Sequence, residues 1–108
     1  MNIDDYKTIL EANSILVEFE GSKHYINGEM NADVYDVMRN ETITTQEKTL
    51  KLLACVICNE SGVRLFDVNN IDHVNIVRSF PMGLQTTLVL AAQKKFFPEE
   101  KKKSEELN

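Results

Sequence analysis

Two cysteines and two histidines are the side chains of this sequence that could hold a metal or carry redox chemistry. Cys55 and Cys58 form a C-x-x-C motif, whereas His24 and His73 lie far from it along the chain. A structural zinc site normally takes four ligands, and a redox pair favours a helix N-terminus, where the thiol pKa is lowered. The sequence instead places both cysteines near the C-terminal end of an apolar helix. We therefore expect buried structural cysteines, with no metal and no cofactor; a zinc site and a redox pair are the alternatives.

The other side chains form no recognisable catalytic motif. No serine stands in a nucleophile-elbow context, and neither a P-loop nor a G-x-G-x-x-G occurs in the sequence. Carboxylate pairs such as Asp4-Asp5 lie in polar surroundings, which do not supply the burial that tunes a catalytic carboxyl group. His24 is expected to be a partly buried spacer on a hairpin, and His73 to lie at the surface. The sequence thus favours a protein that is not an enzyme.

Composition excludes several classes of function. The 108 residues carry a net charge of −5, with 43% apolar and 27% charged residues, as in an ordinary globular domain. An acidic balance disfavours nucleic-acid binding, which needs a basic face. No apolar run approaches the roughly 18 residues of a membrane span. The N-terminus has acids where a signal peptide has bases, so we expect a cytosolic protein without a membrane anchor.

The negative charge is concentrated in the first third of the chain. Residues 1–36 contain eight acids and two bases, for a net charge of −6, and the remaining residues sum to +1. One interpretation is a solvated acidic surface. The other is electrostatic complementarity to a basic partner, which would act mainly on association rate and specificity.

The first third also predicts a short helix and a β-hairpin. Apolar residues at spacings of three and four favour a helix over 3–12. Residues 15–20 alternate in the manner of a strand with one apolar face, and Gly21-Ser22 suits a two-residue turn into a return strand over 23–27. The expected cross-strand pairs are Glu20 with Lys23, Phe19 with His24, Glu18 with Tyr25, and Val17 with Ile26.

The rest of the sequence is mostly helical in pattern. Asn31 is expected to cap a short helix, and Thr44 with Glu47 to form a capping box that opens a longer one. Gly62 can supply a left-handed residue after that longer helix, and Asp67 is expected to cap the next one, for which a strand is the alternative. The predicted helices are 31–38, 45–58, 68–79 and 82–97, with an extended piece at 63–66.

These elements predict an α+β fold. An N-terminal β-hairpin packs on a mostly α-helical C-terminal part of three to four helices. We expect one globular domain over 1–97. The mixed-charge segment 98–108 has almost nothing to bury and is expected to be a disordered tail.

The last predicted helix is apolar on most of its surface. Such a helix lies either in the middle of the core or at an interface. We take it as the candidate surface for partner binding or self-association, and burial in the core is the alternative for each of its residues. The candidates are Met82, Leu84, Leu88, Val89 and Phe96.

One ordered set of residues resembles a known protein family. The run Glu60 to Phe66 has the pattern acid, any, Gly, any, any, Leu, Phe, and it follows a helix ending in Cys-Val-Ile-Cys-Asn. An acidic start to a helix at Asp67, then Phe80-Pro81-Met82 and a closing apolar helix complete the set. In this order the pattern resembles the small tail assembly chaperones of long-tailed bacteriophages, over about residues 14–100.

The resemblance implies a non-enzymatic role in the host bacterial cytoplasm. Members of that family bind the long helical tape-measure protein and keep it soluble while tail-tube subunits polymerise around it, and they are absent from the mature virion. Many also have a longer, frameshifted form, and Lys101–Lys103 could be encoded by a slippery run. The partners implied are the tape-measure protein and the tail-tube subunit, and we expect a homo-oligomer. The alternative is another small phage or bacterial interaction module, such as a head–tail adaptor, an inhibitor or an antitoxin-like protein.

Overall fold

The computed structural model describes residues 2–28 and 31–96, and it confirms the α+β class. Within these residues a three-stranded antiparallel sheet combines with five helices, four of which follow the hairpin. The predicted tail 98–108 lies outside the described residues. The elements are α1 (Ile3–Ala12), β1 (Ser14–Phe19), β2 (Ser22–Asn27), α2 (Ala32–Arg39), α3 (Thr45–Val56), β3 (Ile57–Cys58), α4 (Ile71–Arg78) and α5 (Met82–Phe96).

The hairpin forms as predicted, but its turn and its register differ from expectation. The turn residues are Glu20 and Gly21, with φ of 47° and 83°. Two consecutive left-handed residues are the mark of a type I′ turn, whose twist matches that of the strands it joins. Val17 therefore faces His24, two positions before the expected Ile26. Because a shift of two positions in the strand pairing keeps each side chain on the same face of the sheet, the predicted apolar face of β1 is retained.

The prediction of one helix continuing to Cys58 was wrong. Helix α3 ends at Val56, and Ile57 and Cys58 form strand β3, antiparallel to β2. The residues at this junction, Val56 and Ile57, are β-branched and fit an extended, half-buried surface better than a helix. The peptide N–H of Leu65 donates to Ile57 O, so the predicted extended piece 63–66 runs alongside β3.

Helix α4 starts later than the sequence suggested. It begins at Ile71 with Asn70 as its cap, and the Asn70 side chain accepts hydrogen bonds from the next turn. Asp67, the expected cap, instead accepts from the backbone N–H of Asn69 and so shapes the preceding turn. His73 was expected at the surface, but its ring is half-buried: Nδ1 accepts from the Asp67 N–H, and the ring packs edge-on against Phe66.

The core lies between the inner face of the sheet and helices α3 and α5. Helices α2 and α4 pack on α3, and α5 covers β1 and β2. Thr44 caps α3 as predicted, but the Glu47 carboxylate forms an ion pair with Arg78 of α4 instead of completing the capping box. Gln85, a buried polar residue of α5, donates from its amide to the backbone carbonyls at the α4–α5 corner. The largest fully buried side chains are Ile26, Leu50, Leu53, Leu88, Val34, Val56, Val74, Val77 and Cys55.

Candidate functional site

The structure divides the five candidate residues of the last helix between core and surface. Leu84 and Leu88 are buried, so neither can contact a partner while the fold is intact. Val89 and Phe96 are half-buried and pack against the core cluster. Met82, at the start of α5, is 68% exposed. For Leu84 and Leu88 the alternative of burial in the core is therefore correct, because the sheet and α3 cover that side of α5.

Both cysteines are buried, as predicted, although they lie on different elements. Cys55 is in the last turn of α3, and Cys58 is on β3 with its Sγ 3.8 Å from Ser14 Oγ. Burial raises the pKa of the Cys55 thiol from its ordinary 9.0 to about 11, and burial also raises the pKa of Cys58. Raised thiol pKa values oppose thiolate formation, which metal binding and redox catalysis require. Over residues 2–28 and 31–96, no group of three or more His, Cys, Asp or Glu side chains could hold a metal ion.

The raised pKa of Cys55 predicts a loss of stability at alkaline pH. Above pH 9 the unfolded chain releases the thiol proton while the folded chain retains it, so the free energy of unfolding falls as pH rises from about 9 to about 11. For a shift of this size the loss is roughly 2 kcal/mol. Urea denaturation of the native chain and of Cys55→Ala, repeated across that pH range, measures it. Identical pH slopes for the two proteins would contradict the assignment.

Helix α1 was predicted correctly as an element but not as a site. Its N-terminus is well formed, since Asn2 and Asp5 make a reciprocal capping box. None of its ten residues is buried, and Ile3, Tyr6 and Ile9 are 71%, 55% and 50% exposed. Ile3, Tyr6 and Ile9 follow one another at a spacing of three, which puts these side chains on one face of the helix. The sequence signal was present, but only the structure shows that no element of the described chain buries this face.

A cleft lies where the C-terminal end of α1 meets the turn that follows β3. Its volume is about 330 Å³, and the apolar side chains in its walls are Ile9 and Leu10 from α1 and Val63 from the facing segment. The polar groups that line it are Asn13, Asn27, Asn31 and Arg64. Ile9 and Leu10 belong both to the exposed face of α1 and to the cleft. We call Ile3, Tyr6, Ile9, Leu10 and Val63 together the α1 surface.

Gly62 sets the distance between α1 and the turn. Its φ of +81° confirms the left-handed conformation expected there. A Cβ atom at this position would lie 2.1 Å from the carbonyl oxygen of Leu10, far inside van der Waals contact. The close approach of these two backbones thus requires glycine, and this contact positions the end of α1 beside the cleft.

Charge is distributed unevenly around the α1 surface. Helix α1 carries three acids and one base, all exposed. At the cleft, Arg64 forms an ion pair with Asp33 of α2, and its buried Nε has no hydrogen-bond partner within the described residues. The four charged side chains of α1 are Asp4, Asp5, Lys7 and Glu11.

Comparison of the chain with protein-family models, with curated proteins and with solved structures finds no match. None of the helices in the described ranges combines the length and apolarity needed to cross a membrane.

Proposed function

We propose that this chain is a non-enzymatic tail assembly chaperone of a long-tailed bacteriophage. In this function it binds the tape-measure protein in the host bacterial cytoplasm, keeps it soluble while tail-tube subunits assemble, and does not remain in the virion. The observation that supports a binding role is the α1 surface, a contiguous set of exposed apolar side chains beside an open cleft. The choice of partner rests on the resemblance of residues 60–66 and the elements after them.

The form of the α1 surface suits a chaperone for a long helical protein. Apolar residues on a helix beside a groove can accept the apolar face of another helix without requiring one sequence. A helix of ten residues is marginal without packing, so covering α1 would stabilise both partners. Exposed apolar side chains that share one face mark a protein interaction more often than isolated ones do.

Several copies are proposed to act together on one partner molecule. Neighbouring copies on a long rod gain avidity when they touch each other. Met82 is exposed at the start of α5, and β1 is an edge strand of the sheet, whose only strand partner among the described residues is β2. Both can contribute to contacts between copies. Light scattering over a concentration series tests this, and a species that stays monomeric at high concentration would contradict it.

The proposed function predicts that a gene for a long helical protein lies beside the gene of this chain, and co-expression with that protein tests it. We expect that protein to be insoluble alone and mostly soluble beside this chain, because its apolar faces are covered before they aggregate. An unrelated coiled-coil protein of similar length, also prone to aggregate, is the control and should stay insoluble. If the long protein remains insoluble with and without this chain, the chaperone function is wrong and another interaction module becomes the better description.

A further inference from the structure

We infer that the α1 surface binds a basic amphipathic helix, one whose apolar face is flanked by lysine and arginine. This inference rests on the proposed function and adds to it the place of contact and the chemistry of the partner segment.

The shape of the surface favours a helix over an extended peptide or a small ligand. Ile3, Tyr6 and Ile9 form a stripe along α1, and the cleft continues that stripe towards Val63. A helix laid beside α1 would contact the stripe along successive turns and insert one apolar side chain into the cleft. The cleft, at about 330 Å³, is near the lower end of the range for small-molecule sites, and it is open to solvent.

The charges decide between a basic partner and a second copy of this chain. Helix α1 has three acids against one base, and residues 1–36 have a net charge of −6. Two copies would each bring the same excess of negative charge, and like charges on two partners disfavour association. A helix with basic flanks would instead be attracted by the net charge of −2 on α1 and of −6 on residues 1–36. The same complementarity would raise the association rate at low salt.

The exposed side chains of α1 can be substituted without disturbing the core, which makes this surface easy to test. Because no side chain of α1 is buried, substitutions there remove contacts with a partner without removing core packing. Leu90 of α5 is 53% exposed and provides a matched control, since it is also an apolar side chain on a helix but lies outside the α1 surface.

The test uses fluorescently labelled synthetic helices of about 18 residues, long enough to be helical when bound. One carries leucine at i, i+3, i+4 and i+7 with lysine flanks, and the second is identical except for glutamate in place of lysine. Fluorescence anisotropy is measured with the native chain and with three variants. The variants are Tyr6→Ala/Ile9→Ala, Glu11→Gln and Leu90→Ala.

We expect the lysine peptide to bind at least about tenfold more tightly than the glutamate peptide, a difference that shrinks as salt is added. Tyr6→Ala/Ile9→Ala should weaken binding of the lysine peptide by about tenfold or more, and Glu11→Gln by about twofold to threefold. Leu90→Ala should leave it unchanged. Equal affinity for the two peptides, no binding of either, or equal losses in Leu90→Ala and Tyr6→Ala/Ile9→Ala would overturn the inference. A dimer that forms through α1, and is abolished by Tyr6→Ala/Ile9→Ala, would identify a second copy as the occupant.

The same variants separate this inference from the proposed function. In the co-expression experiment, Tyr6→Ala/Ile9→Ala should lose most of the solubilising effect and Leu90→Ala should keep it. If the double variant solubilises the long protein as well as the native chain does, the chaperone function stands and the α1 surface is not its binding site. If the native chain fails to solubilise it while the lysine peptide still binds at α1, the surface is correct and the proposed function is wrong.

Discussion

Leu88→Ala is expected to lower the free energy of unfolding by about 3 kcal/mol, whereas Met82→Ala should change it by less than about 0.5 kcal/mol. Leu88 is fully buried, so its truncation removes apolar contacts and leaves a cavity that the surrounding helices and sheet only partly fill. Met82, on the same helix, is 68% exposed and has few contacts to lose. Both residues were predicted to lie on one binding surface. The two substitutions should show that one of them stabilises the core and the other does not.

Urea denaturation followed by circular dichroism measures both effects, and the peptide-binding assay serves as a second readout. Under urea-free conditions, where Leu88→Ala is still folded, it should bind the lysine peptide, because no side chain of α1 is buried in the core. If Leu88→Ala proves as stable as Met82→Ala, then α5 does not pack as described.

Gly62→Ala is expected to displace α1 and to cost roughly 2 kcal/mol of stability. A side chain at φ +81° is strained by about 1–2 kcal/mol, as for any left-handed residue with a Cβ atom. The added Cβ would also lie 2.1 Å from Leu10 O, so either the turn or the helix must move. The turn is held by hydrogen bonds of Asn59 to Gly62 and Val63, whereas α1 has no buried side chain. We therefore expect α1 to move and the affinity for the lysine peptide to fall by about tenfold.

Gly21→Ala is the matched control for this prediction. Gly21 has a similar φ of +83°, but a Cβ atom there would meet nothing within 4 Å. Gly21→Ala should lower the free energy of unfolding by roughly 1 kcal/mol, through backbone strain alone. It should bind the peptide as the native chain does. Amide chemical shifts of residues 3–13, measured by NMR, report the position of α1 directly. Unchanged shifts in Gly62→Ala would contradict the close backbone contact.

Local signals in the sequence predicted the parts of the fold that depend on neighbouring residues. Asn31 and Thr44 cap their helices because each side chain accepts from a backbone N–H three residues later. Helices α1 and α5 form where the sequence places apolar residues at spacings of three and four. The C-terminal end of α3 and the start of α4 were misplaced. Ile57 can leave the helix only where the edge of β2 is free to pair with it. That condition is set by the hairpin, more than thirty residues earlier in the sequence.

The candidate site was harder to predict than the fold. An apolar helix has the same composition whether it is buried or exposed, so Leu88 and Met82 could not be distinguished before α5 was placed against the sheet. The role proposed for α1 depends on the absence, among the described residues, of any element that covers its apolar face. Gly62 was expected to be left-handed on local grounds, but its contact with Leu10 joins segments more than fifty residues apart. No local pattern encodes such a contact.

A helix without buried side chains has a consequence for how this protein can change over generations. Most substitutions are removed by selection because they bring the fold below the stability that it needs. The exposed face of α1 is largely free of that constraint, since the core does not depend on it. Its residues can drift together with those of the proposed partner, while Gly62 and the buried side chains of α3 and α5 keep the scaffold constant. Related chains are thus expected to retain the scaffold and to differ most in the residues of this helix.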